Sequence, residues 1–128
     1  MKVSSYEAIP SKPVEMEGAD GCTVRWLIDE KDGAPNFAMR RFEVSPGGHT
    51  PRHSHPYEHE VFVLEGKGVV VEGETEHPLQ SGDAVLVKPD EIHQFRNTGD
   101  TPLKFLCMVP NSATKRTATV APECGTEQ

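Results

Sequence analysis

Apolar and polar residues alternate along this chain in short runs, and no long stretch repeats with the period of a helix. In Thr23–Ile28 the residues Val24, Trp26 and Ile28 fall on one face, the period-2 pattern of a half-buried strand. Phe37–Val44 follows, with Arg41 and Glu43 on its outer face and Arg40 on the inner face beside Phe42 and Val44. Val61–Leu64, Val69–Glu72, Ala84–Val87, His93–Arg96 and Leu103–Val109 complete the predicted strands. Turn residues at Gly66-Lys67-Gly68, Gly73-Glu74, Ser81-Gly82-Asp83, Pro89-Asp90 and Gly99-Asp100 separate them. Their spacing, about 8 to 12 residues, is the rhythm of an all-β sandwich or barrel. Phe95, Phe105 and Cys107 lie on the alternation that faces its interior.

The ends read differently. Residues 1–20 hold Pro10, Pro13 and Gly18 with few large apolar side chains, and predict an N-terminal arm with at most an edge strand. Residues 21–110 form the barrel, and residues 111–128 a tail equally poor in core material. At 128 residues the chain can bury one core without disulfide staples. Its net charge of −7, with no Lys/Arg cluster, argues against a nucleic-acid partner. Cys22, Cys107 and Cys124 are odd in number and widely spaced, which suits reduced thiols in a cytoplasm. No apolar run is long enough to span a membrane, and no export signal is visible.

The chemistry is concentrated between Gly47 and Gly66. His53, His55 and His59 share odd parity, so an extended segment sends their imidazoles to one face. Side chains at i and i+2 are rooted about 7 Å apart, close enough for two ring nitrogens to converge on an ion. A bend at Pro56 would bring His59 back beside the pair, and the Pro89-Asp90 turn delivers His93 to the start of another strand. Glu58 and Glu60 have the opposite parity and point away. His49, in a Gly-Gly stretch, reads as a loop residue, and His77 as surface.

These segments resemble the cupin superfamily. Its first motif runs from a glycine through His-x-His and a glutamate to a closing glycine, matched here by Gly47, His53, His55 and Gly66. Its second is matched by Gly82, His93 and Asn97. His59 stands where the family usually has its metal-binding glutamate, so the chain is similar to the small bacterial four-histidine cupins associated with manganese. The resemblance implies a single-domain jelly-roll barrel and one divalent transition metal on His53, His55, His59 and His93. Mn is preferred, with Fe, Zn, Ni, Cu or Co also compatible with imidazole donors. It also raises Phe105 and Cys107, with Phe95 beside them, as substrate-pocket lining, and makes Asn97 a turn-fixing residue. A homodimer, with the arms covering edge strands, is expected.

Four neutral donors leave a metal dication unneutralised, which favours redox chemistry or an anionic substrate. Arg40, as an inward guanidinium, is the candidate catalytic residue that would meet a substrate carboxylate. The leading expectation is a dioxygenase-type oxidoreductase acting on a small organic molecule. A non-redox isomerase or decarboxylase would need a general base that no inward Asp, Glu or Lys supplies. A non-catalytic binding barrel is the third possibility, since one fold hosts all three classes.

Overall fold

The computed structural model describes residues 1–111 and the short strand Thr119–Val120. Cys124 and the rest of the C-terminal tail lie outside the described residues. The described residues form eleven strands: β1 Lys12–Pro13, β2 Asp20–Ile28, β3 Phe37–His49, β4 His53–Ser54, β5 His59–Glu65, β6 Lys67–Glu72, β7 Thr75–Gln80, β8 Ala84–Val87, β9 His93–Asn97, β10 Leu103–Pro110 and β11 Thr119–Val120. Short 3₁₀ turns at Tyr6–Ala8 and Glu30–Asp32 are the helical elements among them. The fold is all-β, with its strands joined into one curled sheet.

Hydrogen bonding divides the strands into two layers. One runs β1-β2-β3-β10-β5-β8 and the other β7-β6-β9-β4-β11, all antiparallel. The long strand β3 belongs to both. Its body pairs with β2 and β10, and its last residue pairs with β9 through His49 and Arg96. The Gly47-Gly48 stretch therefore continues a strand instead of looping. Thr50 prolongs the connection, donating its N–H to the Phe95 carbonyl at 2.9 Å while its hydroxyl accepts from the Phe95 N–H at 2.9 Å.

The alternation in β5 and β10 carries the core. His59, Val61 and Val63 point inward from β5, and Leu103, Phe105, Cys107 and Val109 from β10. Phe105 stacks between Phe42 and Phe95, with ring centroids 5.2 and 4.8 Å away. The motif glycines have a backbone reason. Gly66 has φ of 92°, and a Cβ there would sit 2.5 Å from the Pro102 carbonyl oxygen. Gly82 turns the chain at φ 93° before β8.

Three expectations are corrected. Trp26 and Ile28 share the inner parity of Val24 but lie beyond the packed region, and remain 36% and 37% exposed. Arg41, on the outer face, is buried because the N-terminal arm folds over it and lays the Tyr6 ring 4.0 Å from its guanidinium carbon. The strand β7 has no counterpart in the hydrophobic pattern because it is an edge strand with one buried residue, Leu79, and a proline that an edge tolerates.

Candidate metal centre

Two separated segments build the site. His53 on β4 is paired in register with His93, the first residue of β9. The Asp90 N–H donates to the His55 carbonyl at 2.7 Å, so the turn that launches β9 is fastened to the first motif. Asp90 adopts φ 67°, a left-handed conformation that suits an aspartate in a tight turn. A bend after His55 then places His59 at the head of β5. The histidines thus do not lie on one extended strand; a turn and a strand pairing bring them together.

Their rings are in contact. Centroids are 4.2 Å apart for His55 and His59, 4.6 Å for His53 and His93, 4.8 Å for His55 and His93, and 5.2 Å for His59 and His93. His55, His59 and His93 are buried, and His53 is partly buried. Burial first, and the charge of Arg40, hold all four imidazoles below their ordinary pKa, with repulsion from neighbouring histidines added for His53, His55 and His59. His53 is lowered to about 3 and His55 to about 4, and His59 and His93 fall in the same direction. They are neutral at pH 7, the form a metal requires.

The donor pattern fits an ion. Nε2 of His55, His59 and His93 and Nδ1 of His53 are buried without a hydrogen-bond partner. Such atoms are costly in a folded interior unless something is bound to them. Nδ1 of His55 donates to the Tyr57 carbonyl at 2.7 Å and Nδ1 of His93 to the Glu91 carbonyl at 2.8 Å. A carbonyl only accepts, so Nδ1 carries the hydrogen and Nε2 keeps a lone pair for a metal. Ligand atoms of His53, His55 and His93 lie within 4.8 Å of one another. His59 stands outside that tight set.

Beside the cluster is a cavity of about 60 Å³ whose lining includes His53, His59, His93, Phe42, Phe95, Phe105 and Cys107. That is room for about two waters, or for a compact group of a substrate. Phe95, Phe105 and Cys107 are therefore placed against the histidines. Arg40 is on the inner face and reaches a residue of the cavity wall without being part of the lining. Nη2 donates to the Cys107 sulfur at 3.1 Å, and the cation lies over the Trp26 and Phe42 rings. Asn97 fixes a turn, donating to the Val44 and Thr101 carbonyls at 2.8 Å each and accepting from the Gly99 N–H. His49 is half-buried against Gln94 and the Thr50 carbonyl, in place of the solvated loop position read from its glycines. His77 is at the surface beside Glu72.

Sequence reasoning passed over Tyr57, which stacks on His55 with centroids 3.9 Å apart. It also passed over Val14 and Met16, which the arm contributes to the cavity wall. The position of Tyr57 between two site histidines was the available signal; nothing in the arm's composition marked Val14 or Met16.

A curled antiparallel barrel with clustered histidines at its interior defines the class, and the comparisons agree. The cupin domain family matches residues 40–109, and the chain belongs to it. The polyketide cyclase RemF from Streptomyces resistomycificus superposes with a TM-score of 0.87 at 32% identity, covering 95% of this chain and 86% of that one. The oxalate-binding protein of Thermotoga maritima is 30% identical over 112 residues, 85% of this chain and 93% of its own length. The 1-methylthio-D-xylulose 5-phosphate methylsulfurylase of Rhodospirillum rubrum is 39% identical over 71 residues, and the match spans 56% of this chain and 46% of that enzyme.

Proposed function

We propose that this cupin is a metal-dependent enzyme of dioxygenase type, holding Mn or Fe on His53, His55, His59 and His93 and acting on a small organic substrate in the adjoining cavity. The observation that supports it is the set of buried, unpartnered imidazole nitrogens beside a cavity that His53, His59 and His93 line and whose lining contains no carboxylate or amine. Besides imidazole and thiol such a cavity offers only the Thr50 hydroxyl, which already accepts from the Phe95 N–H, and this disfavours chemistry that depends on a dedicated base. A bound transition metal would supply one-electron chemistry and open coordination positions. The chain's own contribution is to keep four ligands neutral, to exclude water with Phe42, Phe95 and Phe105, and to confine the substrate beside His59 and His93. Elemental analysis of untagged protein, followed by oxygen-electrode assays over small enolisable and phenolic compounds, tests the reading. Substrate-dependent oxygen uptake that disappears in His55→Ala is expected. Stoichiometric zinc with turnover under argon would refute it.

That outcome is the second reading, a non-redox cyclase or isomerase, favoured by the name of the polyketide cyclase relative and by the position of His59. Were the ion held by the tighter trio alone, the Nε2 of His59 would be the base that the cavity otherwise lacks.

The homodimer expected from the sequence has a surface to use. On the outer faces of β3, β5, β8 and β10, Phe37, Phe62, Leu86 and Met108 are 67%, 47%, 55% and 40% exposed. Leu106 pairs with Phe62, and Phe62 with Ala84, so much of this apolar surface is contiguous. Phe62→Glu should turn a dimer into a monomer by light scattering; a wild-type monomer would exclude the assembly. Among the described residues no helix is long and apolar enough to cross a membrane, and Cys22 and Cys107 are free thiols, as a cytoplasmic setting would keep them.

A further inference from the structure

The four histidines are not oriented alike. Backbone carbonyls fix His55 and His93, and no side-chain substitution removes a carbonyl. His59 has no such partner: its Nδ1 faces the Cys107 sulfur at 3.3 Å. We propose that Cys107 is the positioning residue for His59, its sulfur serving as the acceptor that lets Nδ1 carry the hydrogen and Nε2 face the ion. The inference rests on the reading of this cluster as a metal centre.

The argument is one of tautomers. An imidazole that ligates through Nε2 must carry its hydrogen on Nδ1. In His59 that nitrogen is directed into the barrel wall, where the sulfur is its one hydrogen-bond partner on the described residues. Without the sulfur, ligation would leave a buried N–H unsatisfied. Arg40 holds the acceptor in place: a guanidinium only donates, and its Nη2 is 3.1 Å from the same sulfur. The Cys107 side chain is thereby fixed between Arg40 and His59, with 1% of the residue exposed. Sulfur is a weaker acceptor than a carbonyl oxygen, which makes His59 the most weakly supported of the three histidines with an identified Nδ1 partner. Its place outside the 4.8 Å set agrees with this.

Two substitutions separate an acceptor from a filler of space. Cys107→Val removes the acceptor and adds one methyl group to the packing; Cys107→Ser keeps an acceptor and makes the side chain smaller. Co(II) is titrated into metal-free protein, with the visible spectrum reporting coordination and a chromophoric chelator in competition giving affinity. Cys107→Val should lose about 10- to 100-fold in Co(II) affinity, the usual effect of removing a hydrogen-bond partner behind a ligand, and shift the visible bands in the direction that His59→Ala shifts them. Cys107→Ser should stay close to wild type in both. Wild-type affinity and spectrum in Cys107→Val would overturn the proposal, and so would equal losses in the two variants, which mark packing. If His55→Ala abolishes binding while His59→Ala leaves it unchanged, the inference fails and the metal centre stands. If wild-type protein binds no Co(II), both fall.

Discussion

Acidifying the metal-free protein should destabilise it at pH values well above those at which carboxylates titrate. His53, His55, His59 and His93 all have folded-state pKa values below the ordinary imidazole value. Between the folded and unfolded values the unfolded chain binds more protons, so stability rises with pH and is fully present above about pH 6.5. It is lost as the pH falls below that value, and the loss continues toward the folded pKa of about 4 for His55 and about 3 for His53. One pH unit below the unfolded pKa, each imidazole that stays neutral in the fold costs about 1.4 kcal/mol, so the cluster can cost at most about 5 to 6 kcal/mol near pH 5.5. Domains of this size are stable by about 5 to 15 kcal/mol, so the change is a large fraction of the total. The assay is urea unfolding of chelator-treated protein at several points between about pH 7.5 and pH 5, with His59→Gln alongside. The wild-type midpoint should fall steeply across that range, and the variant should show a slope shallower by about one proton. A midpoint independent of pH above about 5 would refute the claim that the fold keeps these imidazoles neutral.

Other substitutions test the frame around the site. Phe105→Ala removes the ring between Phe42 and Phe95 and should cost about 3 to 5 kcal/mol in urea unfolding, with the metal affinity of the folded fraction retained. Asn97→Ala strips the donor from two carbonyls and should cost at least about 1 to 3 kcal/mol while leaving metal content unchanged, because Asn97 ends the strand that His93 begins. Gly66→Ala forces a Cβ against the Pro102 oxygen at a positive φ, and should lower the melting temperature more than Gly73→Ala, where that Cβ would meet open space.

Much of this molecule was legible in the chain. Strict alternation in β5 and β10 identified their inward residues, because a half-buried strand has a period of two whatever surrounds it. The turn glycines and the spacing of His53, His55, His59 and His93 pointed to a paired-motif barrel, because conformational limits and ligand chemistry are properties of individual residues. The exceptions were decided elsewhere. The N-terminal arm buries Arg41 beneath Tyr6 and adds Val14 and Met16 to the cavity, contacts between segments far apart in sequence that leave no periodic trace. The partners of the ligating rings were equally hidden. His55 and His93 bond carbonyls only two residues away, through local turns, whereas the contact of His59 with the Cys107 thiol spans 48 positions and closes only when β5 and β10 pair. Residue identity and spacing determined which side chains could meet; the register of the folded sheet decided that His59 meets a thiol.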